Sequence, residues 1–172
     1  MRHKALLLTL LLLSSLGFAQ TKSAEKPAAK PARSAAASSA AAPDKALMQQ
    51  VLDAWGTLDI PKVAKFYDQS PNDVFYDVLP LKYQGFAEYG AGVQKNFADV
   101  ASAKLTANED AAVHHAGNWA WSTSTVKFSM TDKAGKTTNL ECRWTAIWQK
   151  KGASWVIVHD HFSTPLPPEP AK

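Results

Sequence analysis

Downstream of residue 43, apolar residues recur every three or four positions. Leu47, Val51, Trp55 and Leu58 fall on one side of a helix with this spacing, and Asp44 stands where an N-cap is expected. The pattern therefore predicts an amphipathic helix whose apolar stripe faces a core.

Two further helices and a short strand are predicted next. Asp59 is placed to cap a short second helix, residues 74–79 predict a strand, and Gly85 precedes a third helix. The inward positions of the third helix are Phe86, Tyr89, Val93 and Phe97. Gly90 and Gly92 disfavour a helix by about 1 kcal/mol each relative to alanine. Their presence indicates either close packing or room for a cavity.

From Lys104 onwards the hydrophobic period changes to two, which indicates strands. Four long antiparallel strands are predicted, at residues 104–114, 119–131, 137–150 and 154–163. In the third of them, Cys142 and Trp144 share one face and Arg143 lies on the other. Helices followed by a meander of strands predict an α+β fold with the helices on one face of a curved sheet.

In the last predicted strand, simple alternation puts Asp160 and Phe162 on one face and Trp155 and Ile157 on the other. Both faces of this strand are largely apolar. We therefore expect both faces to be covered, and we assign the face of Asp160 to a pocket.

The start of the chain differs in character from this domain. A basic tetrapeptide, an apolar run with eight leucines and a Gly17-Phe18-Ala19 site predict a secretory signal peptide over residues 1–19. Residues 20–43 are almost entirely Ala, Ser, Lys and Pro, which predicts a disordered linker. The domain is expected at 44–165, with a Pro-rich tail at 166–172. The expected location is periplasmic or secreted, with no transmembrane span after cleavage.

Charge is distributed unevenly along the chain. Residues 1–43 carry six basic residues and one acidic residue, which leaves thirteen basic and fourteen acidic residues, a charge of −1, for 44–172. The basic pI therefore comes from the leader and linker. A nearly neutral domain gives no electrostatic basis for binding nucleic acid. The only cysteine, Cys142, excludes an internal disulfide and is expected to be a buried, inert thiol.

Three stretches resemble the nuclear transport factor 2-like superfamily and, within it, its SnoaL-like, ketosteroid isomerase-like group. One is WGTLD at 55–59, followed at once by a short helix. Another is the strand at 74–79, which leads through Gly85 into a helix. The most specific is the closing segment at 148–163, with a Trp–turn–Trp pattern followed by VHDHFS. The closing segment also resembles the association domain of calcium/calmodulin-dependent kinase.

The resemblance implies a conical α+β barrel, with three helices packed on the concave face of a mostly antiparallel sheet and a pocket between them. It also implies a homodimer. It does not fix the activity, because this fold hosts isomerases, dehydratases, binding proteins and assembly modules.

Relatives that isomerise or cyclise often use a carboxylate base beside a hydrogen-bond donor in an apolar pocket. Asp77 and Asp160 are the acids expected to lie inside, and they are the candidate catalytic residues. Tyr76 and Tyr89 are candidate donors. A structural role for Asp77, capping a turn or pairing with Arg143, is the alternative.

Other candidate pocket residues are Trp121, Trp144, Arg143 and Phe162. Arg143 suits a ligand carboxylate or, alternatively, an ion pair with Glu141 or an aspartate. In the kinase-type relative a basic residue lines the cavity at the position matching Phe162, so its replacement by phenylalanine favours an apolar ligand.

His159 and His161 lie two apart in a strand, and His114 or His115 would complete a metal site if the strands align. The sequence has no H-E-x-x-H or Cys/His spacing, so neither a metal nor a cofactor is expected, and structural histidines are the default.

Three functions remain open. The leading hypothesis is an exported domain that binds a small, mostly apolar molecule. The others are an isomerase or hydrolyase with an aspartate base, and a homo-oligomeric assembly module.

Overall fold

Three helices and seven strands make up residues 41–166, the part of the chain that the computed structural model describes. The elements are α1 (Lys45–Gly56), α2 (Ile60–Ala64), β1 (Val74–Tyr76), β2 (Tyr83–Gln84), α3 (Gly85–Asn96), β3 (Val100–Ala107), β4 (Ala112–Ala116), β5 (Trp119–Asp132), β6 (Thr137–Lys151) and β7 (Ser154–Ser163). The predicted signal peptide, most of the predicted linker and residues 167–172 of the predicted tail lie outside this part. Within it, no helix has the length and apolarity needed to cross a membrane.

Helix α1 begins as predicted, because the Asp44 carboxylate accepts a hydrogen bond from the Leu47 backbone N–H at 2.7 Å. Its buried side is formed by Met48, Val51, Leu52, Ala54 and Trp55. Leu47 is only half-buried, so the apolar stripe is rotated slightly from the predicted one. Asp59 is the N-cap residue of α2, as predicted, but its side chain makes no cap hydrogen bond and pairs with Lys62 at 3.3 Å.

Helix α3 has the predicted inward side, with Phe86, Tyr89 and Val93 each only 4% exposed. The Tyr83 ring lies directly on the helix backbone at Gly92, where a Cβ would overlap the ring. Close packing, rather than room for a cavity, therefore accounts for glycine at this position.

The strands form one curved, unclosed sheet in the order β2-β1-β7-β6-β5-β3, with β4 pairing beside β3 on the same strand, β5. The β1–β7 pair is parallel and the other pairs are antiparallel. The predicted α+β class with a curved, mostly antiparallel sheet is therefore confirmed.

Two strand predictions are wrong. The strand expected at 74–79 ends at Tyr76, and the chain bends through 77–82 before β2. The strand expected at 104–114 is split into β3 and β4 by a turn, in which the Ala111 N–H bonds the Asn108 carbonyl at 3.1 Å. Asp110 stabilises the turn, because its carboxylate accepts from the Thr125 N–H at 3.1 Å.

A β-bulge interrupts the alternation of β7. Ile147 of β6 pairs with His159 and Trp148 pairs with Ile157, so Val158 has no opposite residue. The extra residue reverses the facing of the side chains beyond it. Consequently Trp155 and Ile157 lie on the same buried face as Asp160 and Phe162, which corrects the predicted opposition of these pairs.

Candidate functional site

A cavity of about 340 Å³ lies between the helices and the inner face of the sheet. Its wall is mostly apolar and aromatic: Leu52, Trp55, Asp77, Val78, Leu79, Tyr89, Val93, Asn96, Phe97, Leu105, Phe128, Met130, Leu140, Trp144, Asp160 and Phe162. Val78 and Leu79 are 44% and 70% exposed, so the segment after β1 lies at the mouth. The volume is in the range of small-molecule sites.

Five of the residues proposed from the sequence line this cavity: Asp77, Tyr89, Trp144, Asp160 and Phe162. They come from four separate elements. Asp77 comes directly after β1, Tyr89 lies on α3, Trp144 lies on β6, and the other two lie on β7 beyond its bulge. The fold therefore gathers them from distant parts of the chain.

Tyr76, Trp121 and Arg143 do not line the cavity, which corrects their assignment to it. Each alternates with an inward residue of its own strand and so points to the outer face. Tyr76 lies edge-on to two histidines, and Trp121 is 45% exposed and stacks on His114 with ring centroids 5.0 Å apart. Among residues 41–166, no carboxylate forms a salt bridge with Arg143, so the proposed ion pairs are also absent there.

The innermost polar group of the cavity is Asp160, which is 1% exposed. The Tyr67 hydroxyl donates to its Oδ2 at 2.6 Å. The same hydroxyl accepts from the Trp55 indole N–H at 3.0 Å. A directed chain of two buried hydrogen bonds therefore leads from α1, through the residues after α2, to β7.

Sequence reasoning missed Tyr67. The sequence places Trp55 in the apolar stripe and in the WGTLD stretch but indicates no partner for its indole N–H, and Tyr67 lies 93 positions from Asp160. The one available signal was general: a buried tyrosine usually has a partner for its hydroxyl. Nothing local to the sequence names that partner.

Burial is the main cause that raises the pKa of Asp160 to about 7, and the nearby Asp77 acts in the same direction. The hydrogen bond from Tyr67 lowers this pKa. The Trp144 indole also lowers it, although no hydrogen bond of normal geometry joins the two side chains. Burial likewise raises the pKa of Asp77 to about 6, opposed by a bond from the Val78 N–H at 2.7 Å. Both acids thus change charge near neutral pH.

Removing the Tyr67 hydroxyl should destabilise the domain. In Tyr67→Phe, the Trp55 N–H and Asp160 Oδ2 both lose their partner inside the core, and we expect the free energy of unfolding to fall by about 2–3 kcal/mol. Urea denaturation at pH 7 measures this change. Tyr76→Phe is the matched control, because Tyr76 is 39% exposed and its change should stay within about 0.5 kcal/mol. Equal small effects of the two variants would contradict the structural role of the chain of hydrogen bonds.

His159 and Cys142, the other side chains with reactive groups considered above, have contacts that suit a structural role. His159 Nδ1 lies 2.7 Å from the Val74 carbonyl, which anchors β7 to β1. No group of three or more candidate metal ligands occurs within residues 41–166. Cys142 is buried, and burial raises the pKa of its thiol to about 11, which disfavours the nucleophilic thiolate.

A curved sheet that holds an apolar cavity against its helices defines a class of small α+β domains. The model of the SnoaL-like domain family matches residues 45–167, and the chain belongs to this family. A search of curated proteins found no match.

Solved structures share the fold at low identity. The chain is similar to a putative calcium/calmodulin-dependent protein kinase II association domain from Xanthomonas campestris (23% identity, 72% of this chain and 85% of that chain, TM-score 0.61). It is also similar to a ketosteroid isomerase-like protein from Erwinia carotovora atroseptica (22% identity, 72% of this chain and 94% of that chain, TM-score 0.59). A putative scytalone dehydratase from Novosphingobium aromaticivorans is 9% identical (74% of this chain and 92% of that chain, TM-score 0.63). At these identities the likeness supports the fold alone.

Proposed function

We propose that this domain binds a small, mostly apolar molecule in the cavity between its helices and sheet. The observation that carries the proposal is the cavity of about 340 Å³, whose walls are aliphatic and aromatic apart from a few polar groups. Apolar walls with a few placed polar groups are what small-molecule sites commonly have. The proposal includes action outside the cytoplasm, which rests on the predicted signal peptide, and a homodimer, which rests on the family resemblance.

Filling the cavity should abolish binding. Val93 is 4% exposed and lines the cavity from α3, so Val93→Phe places a ring where the ligand would lie. Native mass spectrometry and thermal-shift measurements against apolar metabolites should find ligands that raise the melting temperature of the wild type and not that of Val93→Phe. The matched control is Val156→Phe, the same change at a half-buried position outside the cavity wall, which should keep binding. Ligands that bind all three proteins equally would refute the cavity as their site.

An isomerase or hydrolyase is the second candidate. It is favoured by two cavity carboxyls, Asp77 and Asp160, whose pKa values of about 6 and 7 suit a general base near neutral pH. Proteins named as a ketosteroid isomerase-like protein and putative dehydratases share the fold. Any turnover found in the metabolite screen should fall at least about a hundredfold in Asp77→Asn or Asp160→Asn. Turnover that survives in both variants would reject this mechanism.

A further inference from the structure

Asp160 has one carboxylate oxygen that is satisfied and one that is not. Oδ2 accepts from Tyr67, whereas Oδ1 is buried and has no hydrogen-bond partner among residues 41–166. A buried carboxylate oxygen without a donor is costly. Because Asp160 lines the cavity, a ligand there can supply the missing donor.

The hydrogen bonds behind Asp160 fix it as an acceptor. The Tyr67 oxygen receives the Trp55 N–H, so its own single proton is directed to Asp160. Hydrogen bonds that all run toward a carboxyl favour its charged form. These two hydrogen bonds therefore favour a carboxylate from behind, whereas Oδ1 has no hydrogen bond of normal geometry among residues 41–166.

The remaining wall has the same sign of charge. Among residues 41–166, Asp77 is the only other acidic residue that lines the cavity, and no Lys, Arg or His lines it. The groups that face Asp160 are Tyr67, Trp144, Asp77 and Tyr89, of which none carries positive charge. A carboxylate ligand would meet repulsion here, and a cation would find two acids and several aromatic side chains.

We infer that the ligand of this cavity is an apolar amine, whose protonated nitrogen donates to Asp160 Oδ1 while its hydrocarbon body lies against the aromatic wall. The inference rests on the proposed function, since it requires a small molecule in this cavity. Ion pairing with the ammonium holds Asp160 in its charged form and releases its proton to solvent.

Three naphthalene derivatives that differ in one group test the inference on the wild-type chain: 2-naphthylmethylamine, 2-naphthylmethanol and 2-naphthoate. Isothermal titration calorimetry at pH 8 should give the amine an affinity at least about tenfold above that of the alcohol, with the carboxylate weakest. From pH 6 to pH 8 the amine should gain about tenfold, because the ionised fraction of a carboxyl with a pKa of about 7 rises by that factor. Titrations in phosphate and in Tris at pH 7 should show proton release.

The outcomes separate the inference from the proposed function. If none of the three compounds binds, the inference fails, and the proposed function is decided by the metabolite screen with Val93→Phe. If the alcohol or carboxylate binds as well as the amine, or if amine binding takes up protons, the cavity is a small-molecule site but not an amine site. All of these comparisons are made on the wild-type chain.

Two variants assign the effect to a residue. Asp160→Asn, checked for folding by its melting curve, should remove the preference of the amine over the alcohol. Asp77→Asn should retain at least part of it. Preference lost only in Asp77→Asn would overturn the role given to Asp160.

Discussion

Trp148→Ala should lower the free energy of unfolding by about 4–6 kcal/mol. The Trp148 side chain is fully buried in β6, so its truncation leaves a large cavity, which costs about 3–5 kcal/mol in protein cores. Its indole N–H also donates to Ser122 Oγ at 2.9 Å, and Ser122 is itself fully buried. The variant leaves that hydroxyl without its partner, at a cost of about 1 kcal/mol or more. Total stabilities of domains are about 5–15 kcal/mol, so this change threatens folding itself.

Trp119→Ala is the matched control, because Trp119 lies on the neighbouring strand β5 and is 46% exposed. We expect it to cost about 0.5 kcal/mol or less. Guanidinium chloride denaturation followed by circular dichroism measures both variants at one protein concentration. Trp148→Phe helps to separate the two causes, because it keeps most of the buried ring volume but loses the N–H that donates to Ser122. Equal costs for Trp148→Ala and Trp119→Ala would show that the core of the sheet does not depend on Trp148.

The inward-facing side chains of the longest periodic segments could be predicted, because the period of a single strand or helix decides which residues are buried in each of them. Burial alternates with the strand period over residues 119–127 of β5 and over residues 137–149 of β6, so alternation alone fixes which of these side chains turn inward. Helix α3 is similar, since its inward residues match the helical period. The split of 104–114 was not predictable from alternation, because a turn stabilised by Asp110 and a distant strand replaces the continuous ladder.

The candidate site was predictable only in part. Asp160 and Phe162 were assigned to the right face, although Trp155 and Ile157 were not, because a bulge at Val158 shifts the phase between the two pairs. The bulge arises from the pairing of β7 with β6, so the sequence of β7 alone does not reveal it. Tyr67 could not be found for a related reason: its partners come from α1 and β7, and only the packed fold brings them together.

Stability should fall as the pH rises from 4 to 8, and Asp160→Asn should remove most of that fall. The pKa of Asp160 is raised from 3.8 to about 7 in the folded domain. Between these values the folded state holds a proton that the unfolded state has lost, so its contribution to stability is complete below pH 4 and is lost as the pH approaches 7. A shift of this size corresponds to about 4 kcal/mol. The wild-type free energy of unfolding minus that of Asp160→Asn should therefore fall by about this amount.

Taking this difference isolates Asp160 from the other acids. The salt bridge between Asp68 and Lys151, which acts in the opposite direction at low pH, is present in both proteins and cancels. Asp77→Asn is the control: burial raises the pKa of Asp77 only to about 6, so its difference from the wild type should change mainly below pH 6. Urea denaturation at half-unit intervals of pH distinguishes the pH range of the Asp160 effect from that of the Asp77 effect. Parallel curves for wild type and Asp160→Asn would mean that Asp160 keeps an ordinary acidity in the fold, and that a cationic ligand has no buried proton to displace.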